Sequence, residues 1–256
     1  MNISHCKDSY ILFIDSGLGG LSTLSKTFFL KPANYIYFAD NKFAPYGTKS
    51  DAELKDRLHS IISNFDKKYN LISIVLACNT ATTSSIEFLR KTHPHLNIIG
   101  TEPAFKVARD KNFKSPAILA TPCTISHLSQ KNLKDFHLIP ESTLATCVEN
   151  FYLTNSPKDK MNLLRKLYQI KESAKNNDCL ILGCTHYSLI KEKFCKILKI
   201  PIIDGNDGVA RQVFKTFNKS QQKLSSIKII LSLNNSNCLQ KYKKILRQIL
   251  AKQINL

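Results

Sequence analysis

The stretch Ile74-Val75-Leu76-Ala77-Cys78-Asn79-Thr80 is an apolar run that stops on a cysteine and passes into a helix-like segment. Leu180-Ile181-Leu182-Gly183-Cys184-Thr185-His186 repeats its order: apolar run, small residue, cysteine, then an amide or hydroxyl residue. A short continuous apolar run reads as a strand buried on both faces, and the polar residue after it as a helix cap. The repeat therefore predicts two strand ends, each holding a thiol, that face one small substrate.

Working outward, residues 9–14 form a strand that ends at Asp15-Ser16-Gly17-Leu18-Gly19-Gly20, followed by a helix over 21–29 and a strand over 35–38 that closes on Asp40. Phe43-Ala44-Pro45-Tyr46-Gly47-Thr48 is a loop, since Pro and Gly interrupt regular structure. Ser50 or Asp51 caps the next helix, where Leu54, Leu58, Ile61, Ile62 and Phe65 keep the 3.6 period. The helix after Cys78 extends to Lys91, a strand spans 96–99, and Gly100-Thr101-Glu102-Pro103 reads as a hinge. The second half has strands over 117–120 and 180–182 and another ending at Asp204-Gly205, with a helix opening at Thr121-Pro122-Cys123-Thr124. Within 135–175 only 161–170 carries a clear helical pattern; a strand over 227–233 and a final helix complete the chain.

Asp15 lies 63 residues before Cys78, and Thr121 lies 63 before Cys184, so the halves are offset by 106 residues. Alternating strands and helices imply βαβ units. The expected fold is α/β: two similar domains with mostly parallel sheets, related by a pseudo-twofold. Residues 1–100 and 207–256 form one domain and 101–206 the other. Ligands of open parallel sheets collect at the carboxyl ends of the strands, which places the site in the cleft between the domains.

Of 256 residues, 43% are hydrophobic and 22% charged, ordinary globular usage that excludes a disordered chain. No apolar run approaches the roughly 18 residues of a membrane span. Met1-Asn2-Ile3-Ser4-His5-Cys6-Lys7 lacks a signal-peptide core, so a cytoplasmic chain with no membrane partner is expected. Eight cysteines scattered without a Cys-x-x-Cys read as free thiols. Lys and Arg outnumber acids 37 to 19, and from residue 211 onward there are ten basic residues and no acid. That excess invites a nucleic-acid partner. The favoured reading is a solvated face, because Leu239, Tyr242, Ile245, Leu246, Ile249 and Leu250 recur at helical spacing, with Lys241, Lys243, Lys244 and Arg247 on the polar side.

A lone buried cysteine is usually packing, and Cys6, Cys123, Cys147, Cys179, Cys195 and Cys238 are read that way. Cys78 and Cys184 differ because their positions match. A free thiol titrates near 8.5, so each needs assistance to act as a base; Asp15 is assigned to Cys78 and His186 to Cys184. The glycines after Asp15 do not follow G-x-G-x-x-G, and that loop is read as presenting Asp15 and Ser16 to an amino group. Asn79, Thr80 and Thr185 are helix caps whose helix N-termini can also offer N–H groups to a carboxylate. No metal is expected, since the histidines do not sit at ligand spacing with cysteine pairs; His93-Pro94-His95 reads as a surface loop.

Asp15-Ser16-Gly17-Leu18-Gly19-Gly20, Pro45-Tyr46-Gly47-Thr48, Ala77-Cys78-Asn79-Thr80-Ala81, Glu102-Pro103 and Gly183-Cys184-Thr185-His186-Tyr187 resemble, in order and spacing, the signature blocks of bacterial glutamate racemase, within the aspartate/glutamate racemase superfamily. The resemblance implies a cofactor-independent isomerase that interconverts L- and D-glutamate and supplies D-glutamate for peptidoglycan, hence for cell-wall biogenesis and cell shape. It makes Cys78 and Cys184 the acid and base on opposite faces of the α-carbon. Asp15, Ser16, Tyr46, Gly47, Asn79, Thr80, Thr121, Thr124, Thr185 and His186 fall on substrate-contacting positions. Pyridoxal phosphate is not expected, since no lysine lies at a strand end in these blocks.

Two blocks depart from the family pattern. Cys147-Val148-Glu149-Asn150 lacks the proline that usually follows the cysteine, and counting along the block puts Asn155 where a glutamate that orients the histidine should fall; Glu149 is the alternative. The last strand ends Ser232-Leu233-Asn234-Asn235 instead of Ser/Thr-Gly-Asp. The rivals are a racemase for aspartate or another amino acid, aspartate racemases typically carrying Glu in place of His186, and a basic regulatory protein of the same fold that binds nucleic acid or a nucleic-acid enzyme. The sequence leaves a homodimer open.

Overall fold

The computed structural model describes residues 8–30, 33–215, 225–233 and 235–254; Cys6 and Asn234 lie outside them. The first sheet grows from β1 (Ser9–Asp15), in which Ile11 and Phe13 face one side and Leu12 and Ile14 the other, all fully buried. A strand apolar on both faces needs cover on both. It pairs with β2 (Asn34–Ala39) and β3 (Asn70–Leu76), with β4 (Ile98–Gly100) beyond β3 and β9 (Ser226–Leu231) beyond β2, in the order β4-β3-β1-β2-β9. The second sheet contains β5 (Pro116–Ala120), β6 (His137–Pro140), β7 (Cys179–Gly183) and β8 (Ile202–Asp204), in the order β6-β5-β7-β8. Read as β8-β7-β5-β6, it repeats the order β4-β3-β1-β2 of the first. Every pairing among the described residues is parallel.

Parallel neighbours require crossovers, and helices supply them. Helices α1 (Leu21–Phe28), α2 (Asp51–Lys68), α3 (Asn79–Thr92), α4 (Phe105–Asp110), α5 (Pro122–Ser129), α6 (Leu144–Thr154), α7 (Pro157–Ser173), α8 (Thr185–Ser188), α9 (Lys191–Leu198), α10 (Asn206–Lys215) and α11 (Ser236–Ile254) follow in chain order. On one face of the first sheet Leu21, Leu24, Val209, Val213, Tyr242 and Ile245 cover Ile11, Phe13 and Tyr35; on the other, Leu54, Leu58, Ile61 and Leu89 cover Leu12, Ile14 and Ile36. In the second sheet Leu144, Val148, Leu163, Leu167 and Phe194 cover Leu119 and Leu180, and Phe105, Ala108 and Leu128 cover Ile118 and Ile181.

Helix α10 follows β8 but packs in the core of the first sheet through Val209 and Val213. The chain thus passes between the sheets twice, once after Gly100 and again at Gly205. The two passages touch: a Cβ on Gly205 would lie 2.6 Å from the Glu102 carbonyl oxygen, so glycine permits the approach.

Several local expectations change. The cap of α2 is Ser50, in a full capping box with Glu53. Segment 135–175 contains β6 and α6 as well as α7, and α4 follows the first passage. The caps of α3 and α8 are Cys78 and Cys184 themselves, in extended backbone (φ −143° and −146°); Asn79 and Thr185 are already helical. His93 is buried beneath its loop, its ring 4.8 Å from that of His59.

Candidate active site

Strand ends position the polar residues. Asp15 closes β1, Asp40 follows β2, Cys78 stands two residues past β3, Thr121 follows β5 and Cys184 follows β7. Cys78 and Cys184 hold equivalent places, each after an inner strand of its sheet, the one paired with the first strand of its half, and each at the start of a helix. Both are 7% exposed.

Burial pushes the Cys78 thiol well up, and the Asp15 carboxylate and Cys184 push it further; backbone N–H groups of Ala81 and Thr80 pull the other way. Cys184 has another kind of neighbour: its sulfur lies 3.9 Å from His186 Nδ1. On the far side of that ring, His186 Nε2 meets Glu149 Oε1 at 2.7 Å. Burial opposes a charged imidazole, but hydrogen bonds to Cys184 and Glu149 outweigh it and hold His186 well above its usual range.

Asp15 is fully buried, with Oδ1 accepting from Gly17 N–H (2.7 Å) and Oδ2 from the Thr185 hydroxyl (3.0 Å). Burial raises its carboxyl despite His186 and these donors. The Thr185 bond joins the two halves, as does the Leu18 N–H donating to Glu149 Oε1 at 2.6 Å. These approaches explain the glycines. A Cβ on Gly17 would overlap Glu149, and one on Gly19 would sit 2.5 Å from Thr185 Oγ1 and 2.6 Å from His186 N. Tyr37 secures the turn by donating to the Gly17 carbonyl at 2.6 Å.

Three hydroxyls form a second link. Thr80 Oγ1 lies 2.9 Å from Thr121 Oγ1 and 3.4 Å from Thr124 Oγ1, and Thr121, the cap of α5, donates to Thr124 at 3.1 Å. A Cβ on Gly47 would meet Thr121 at 3.5 Å, an ordinary contact, so this position does not demand glycine for space. Tyr46 is buried and donates to Asp40 Oδ2 (2.9 Å), and Asp40 takes a two-pronged bond from Arg57 (2.6 and 2.8 Å). The Asn79 amide points away to the Thr101 carbonyl (3.1 Å), tying α3 to the first passage. Ser16 is buried in the turn after β1.

Asp15, Thr80, Thr121, Thr124, Thr185 and His186 thus join in contacts across the halves or beside them, and Asn79 faces the linking segment. Sequence reasoning left Glu149 undecided and did not single out Tyr37, Asp40 or Arg57. Asn155 does not stand in the glutamate's place: it ends α6 in the left-handed region (φ 55°), exposed. Three residues further along α6, Tyr152 donates to the Leu189 carbonyl just past α8 at 2.8 Å, which holds the helix carrying Glu149 against the segment carrying His186.

No protein-family model matches the chain. It is 35% identical over 258 residues to glutamate racemase of Clostridium botulinum (strain Alaska E43 / Type E3), covering 94% of this chain and 98% of that one. It is 36% identical over 254 residues to glutamate racemase of Clostridium novyi (strain NT), covering 93% and 96%. Among solved structures, Escherichia coli glutamate racemase in complex with L-glutamate and an activator matches with a TM-score of 0.77 over 95% of both chains, at 22% identity; that likeness bears on the fold alone. With identity of this level along nearly the whole of both sequences, the chain belongs to the glutamate racemase family, whose members are isomerases.

Proposed function

We propose that the chain interconverts L- and D-glutamate by direct proton transfer at the α-carbon, between Cys78 and Cys184 and without a cofactor. The observation that carries this reading is the matched placement of the two thiols, each capping a helix at the carboxyl end of a strand next to the centre of its sheet.

With L-glutamate bound between them, one cysteine as thiolate takes the α-proton and becomes a thiol. The opposite thiol gives its proton to the other face of the carbon and becomes a thiolate. Roles exchange for the reverse direction. Asp15 and the N–H groups at the start of α3 serve Cys78; His186, charged and held by Glu149, serves Cys184. Charge grows on the substrate carboxylate as the proton leaves, so donors placed there lower the barrier; Ser16, Asn79, Thr80, Thr121, Thr124 and Thr185 are the polar groups assigned to substrate, with Tyr46 and Gly47 shaping the wall. Two domains, 1–100 with 207–256 and 101–206, enclose the site. The D-glutamate formed supplies peptidoglycan synthesis in the cytoplasm.

The test is α-deuterium incorporation and optical rotation with L-glutamate in deuterated water, for the wild type, Cys78→Ala and Cys184→Ala, with aspartate alongside. Racemisation with exchange, lost in either variant, is the expected result. A wild type that exchanges aspartate but not glutamate would overturn the substrate, and a variant that still racemises would overturn the two-thiol mechanism.

A further inference from the structure

Outside the site, Asp51, Cys123 and His127 converge, their potential ligand atoms all within 4.8 Å of one another. Cys123 and His127 are four residues apart on α5, so they share a face. Asp51, 76 residues before His127, is the first residue of α2 and comes from the other half of the molecule. The three are half-buried, and the Ser84 hydroxyl lies 3.5 Å from the Cys123 sulfur.

The ring of His127 is flanked by two acceptors. Nδ1 lies 2.9 Å from the Cys123 carbonyl oxygen, and Nε2 lies 3.0 Å from Asp51 Oδ2. A neutral imidazole has a single N–H. With Nδ1–H donating to the carbonyl, the Nε2 lone pair faces the Asp51 oxygen, and either a second ring proton or a bound cation fits between the two. Donation from the second nitrogen to a backbone carbonyl is also how metal-bound histidines are oriented. The third group at hand is a thiol, a ligand that selects zinc-like ions over magnesium or calcium. Two ligand arms of about 2.0–2.1 Å at the tetrahedral angle separate their donor atoms by roughly 3.3 Å, so the Asp51–His127 gap need widen by only a few tenths of an ångström.

We propose that Asp51, Cys123 and His127 form a binding site for a zinc-class divalent ion, with the fourth position left to water or to the Ser84 hydroxyl. Carboxylate and thiolate neutralise the ion, and the imidazole completes three protein ligands. The ion fastens α2 to α5, whose cap Thr121 meets Thr80, so binding ties together the two halves beside the substrate cleft. The proposal does not depend on the racemase reading, since none of the three residues is assigned to catalysis.

The test is titration of the purified chain with Co2+, whose bond to a thiolate gives a near-ultraviolet charge-transfer band, in the wild type, Cys123→Ser, His127→Gln, Asp51→Asn and Cys195→Ser. Far-ultraviolet circular dichroism checks that each variant folds. One Co2+ per chain is expected, with the band absent in C123S, unchanged in C195S, and binding at least about tenfold weaker in H127Q and D51N. Should C123S misfold, the H127Q and D51N losses carry the test. No band with the wild type, a band that survives C123S, a band lost with the exposed Cys195, or unweakened binding in H127Q overturns the proposal and leaves the Asp51–His127 contact as an ion pair.

Discussion

Glu149 Oε1 serves two partners at once, the His186 ring at 2.7 Å and the Leu18 N–H at 2.6 Å. One carboxylate oxygen therefore fixes a histidine beside Cys184 and locks the glycine turn of the other half onto it. Replacing Glu149 with Gln keeps the size and removes the charge. Turnover is expected to fall about 10- to 100-fold, and the alkaline limb of the kcat/KM profile to move to lower pH. Stability follows the same sign. The folded His186 titrates above its unfolded value of about 6.5, so its contribution is full below that value and lost as pH rises through the folded one. Melting curves across pH should show the largest gap between wild type and E149Q just above the carboxylate range and a shrinking gap toward alkaline pH.

Asp15→Asn makes the opposite trade. Burial raises the Asp15 carboxyl, so its ionised form costs stability as pH rises past the unfolded value near 3.9. The variant is expected to melt about 2–4 °C higher at neutral pH for each kcal/mol recovered, while turnover drops. With the Asp15 charge gone, Cys78 should ionise at lower pH, which ultraviolet titration of thiolate reports.

Gly19→Ala places a methyl 2.5 Å from Thr185 Oγ1 and 2.6 Å from His186 N. Backbone cannot yield as a flexible side chain would, so overpacking of about 1–3 kcal/mol is expected, together with loss of the Thr185–Asp15 bond. A melt and a turnover assay should move together. A variant with full activity and an unchanged melt would contradict the close contact.

Arg57→Met leaves the fully buried Asp40 with Tyr46 as its remaining named partner. Uncovering a buried charge costs about 3–5 kcal/mol. Arg57→Lys should recover less than half of this, because an ammonium group cannot give the two parallel bonds. Denaturant midpoints for the two variants give the comparison, and a raised KM for glutamate is expected because Tyr46 then bonds to an Asp40 that has lost its anchor on α2.

The strand-end thiols were legible because an apolar run and the residue that stops it are covalent neighbours; β1, β3, β5 and β7 needed nothing beyond local pattern. Glu149 was not, because Leu144 and Val148, with the half-buried Ala145, Cys147, Phe151 and Tyr152, mark the core face of α6 and say nothing of which distant histidine a carboxylate beside that face will meet. The joining bonds Asp15–Thr185 and Leu18–Glu149 bridge residues 170 and 131 positions apart. Periodicity tells which face of an element is buried, not which distant loop docks on its end. Gly17 and Gly19 carried a trace of that docking, since glycine allows close backbone approach, but not the identity of what approaches. The cap assignment missed by one residue because a cysteine with extended backbone can end a strand and begin a helix without a side-chain cap bond.

The pairing of β2 with β9, residues 34–39 against 226–231, sets an order on synthesis. All four strands of the second sheet lie between these partners, so an emerging chain has that sheet complete while the first still offers β2 as an unpaired edge. Pairing over such a separation is slow, and an open edge is where foreign strands add. A ribosome-bound chain halted before residue 226 should therefore have a protease-resistant second half and an aggregation-prone first.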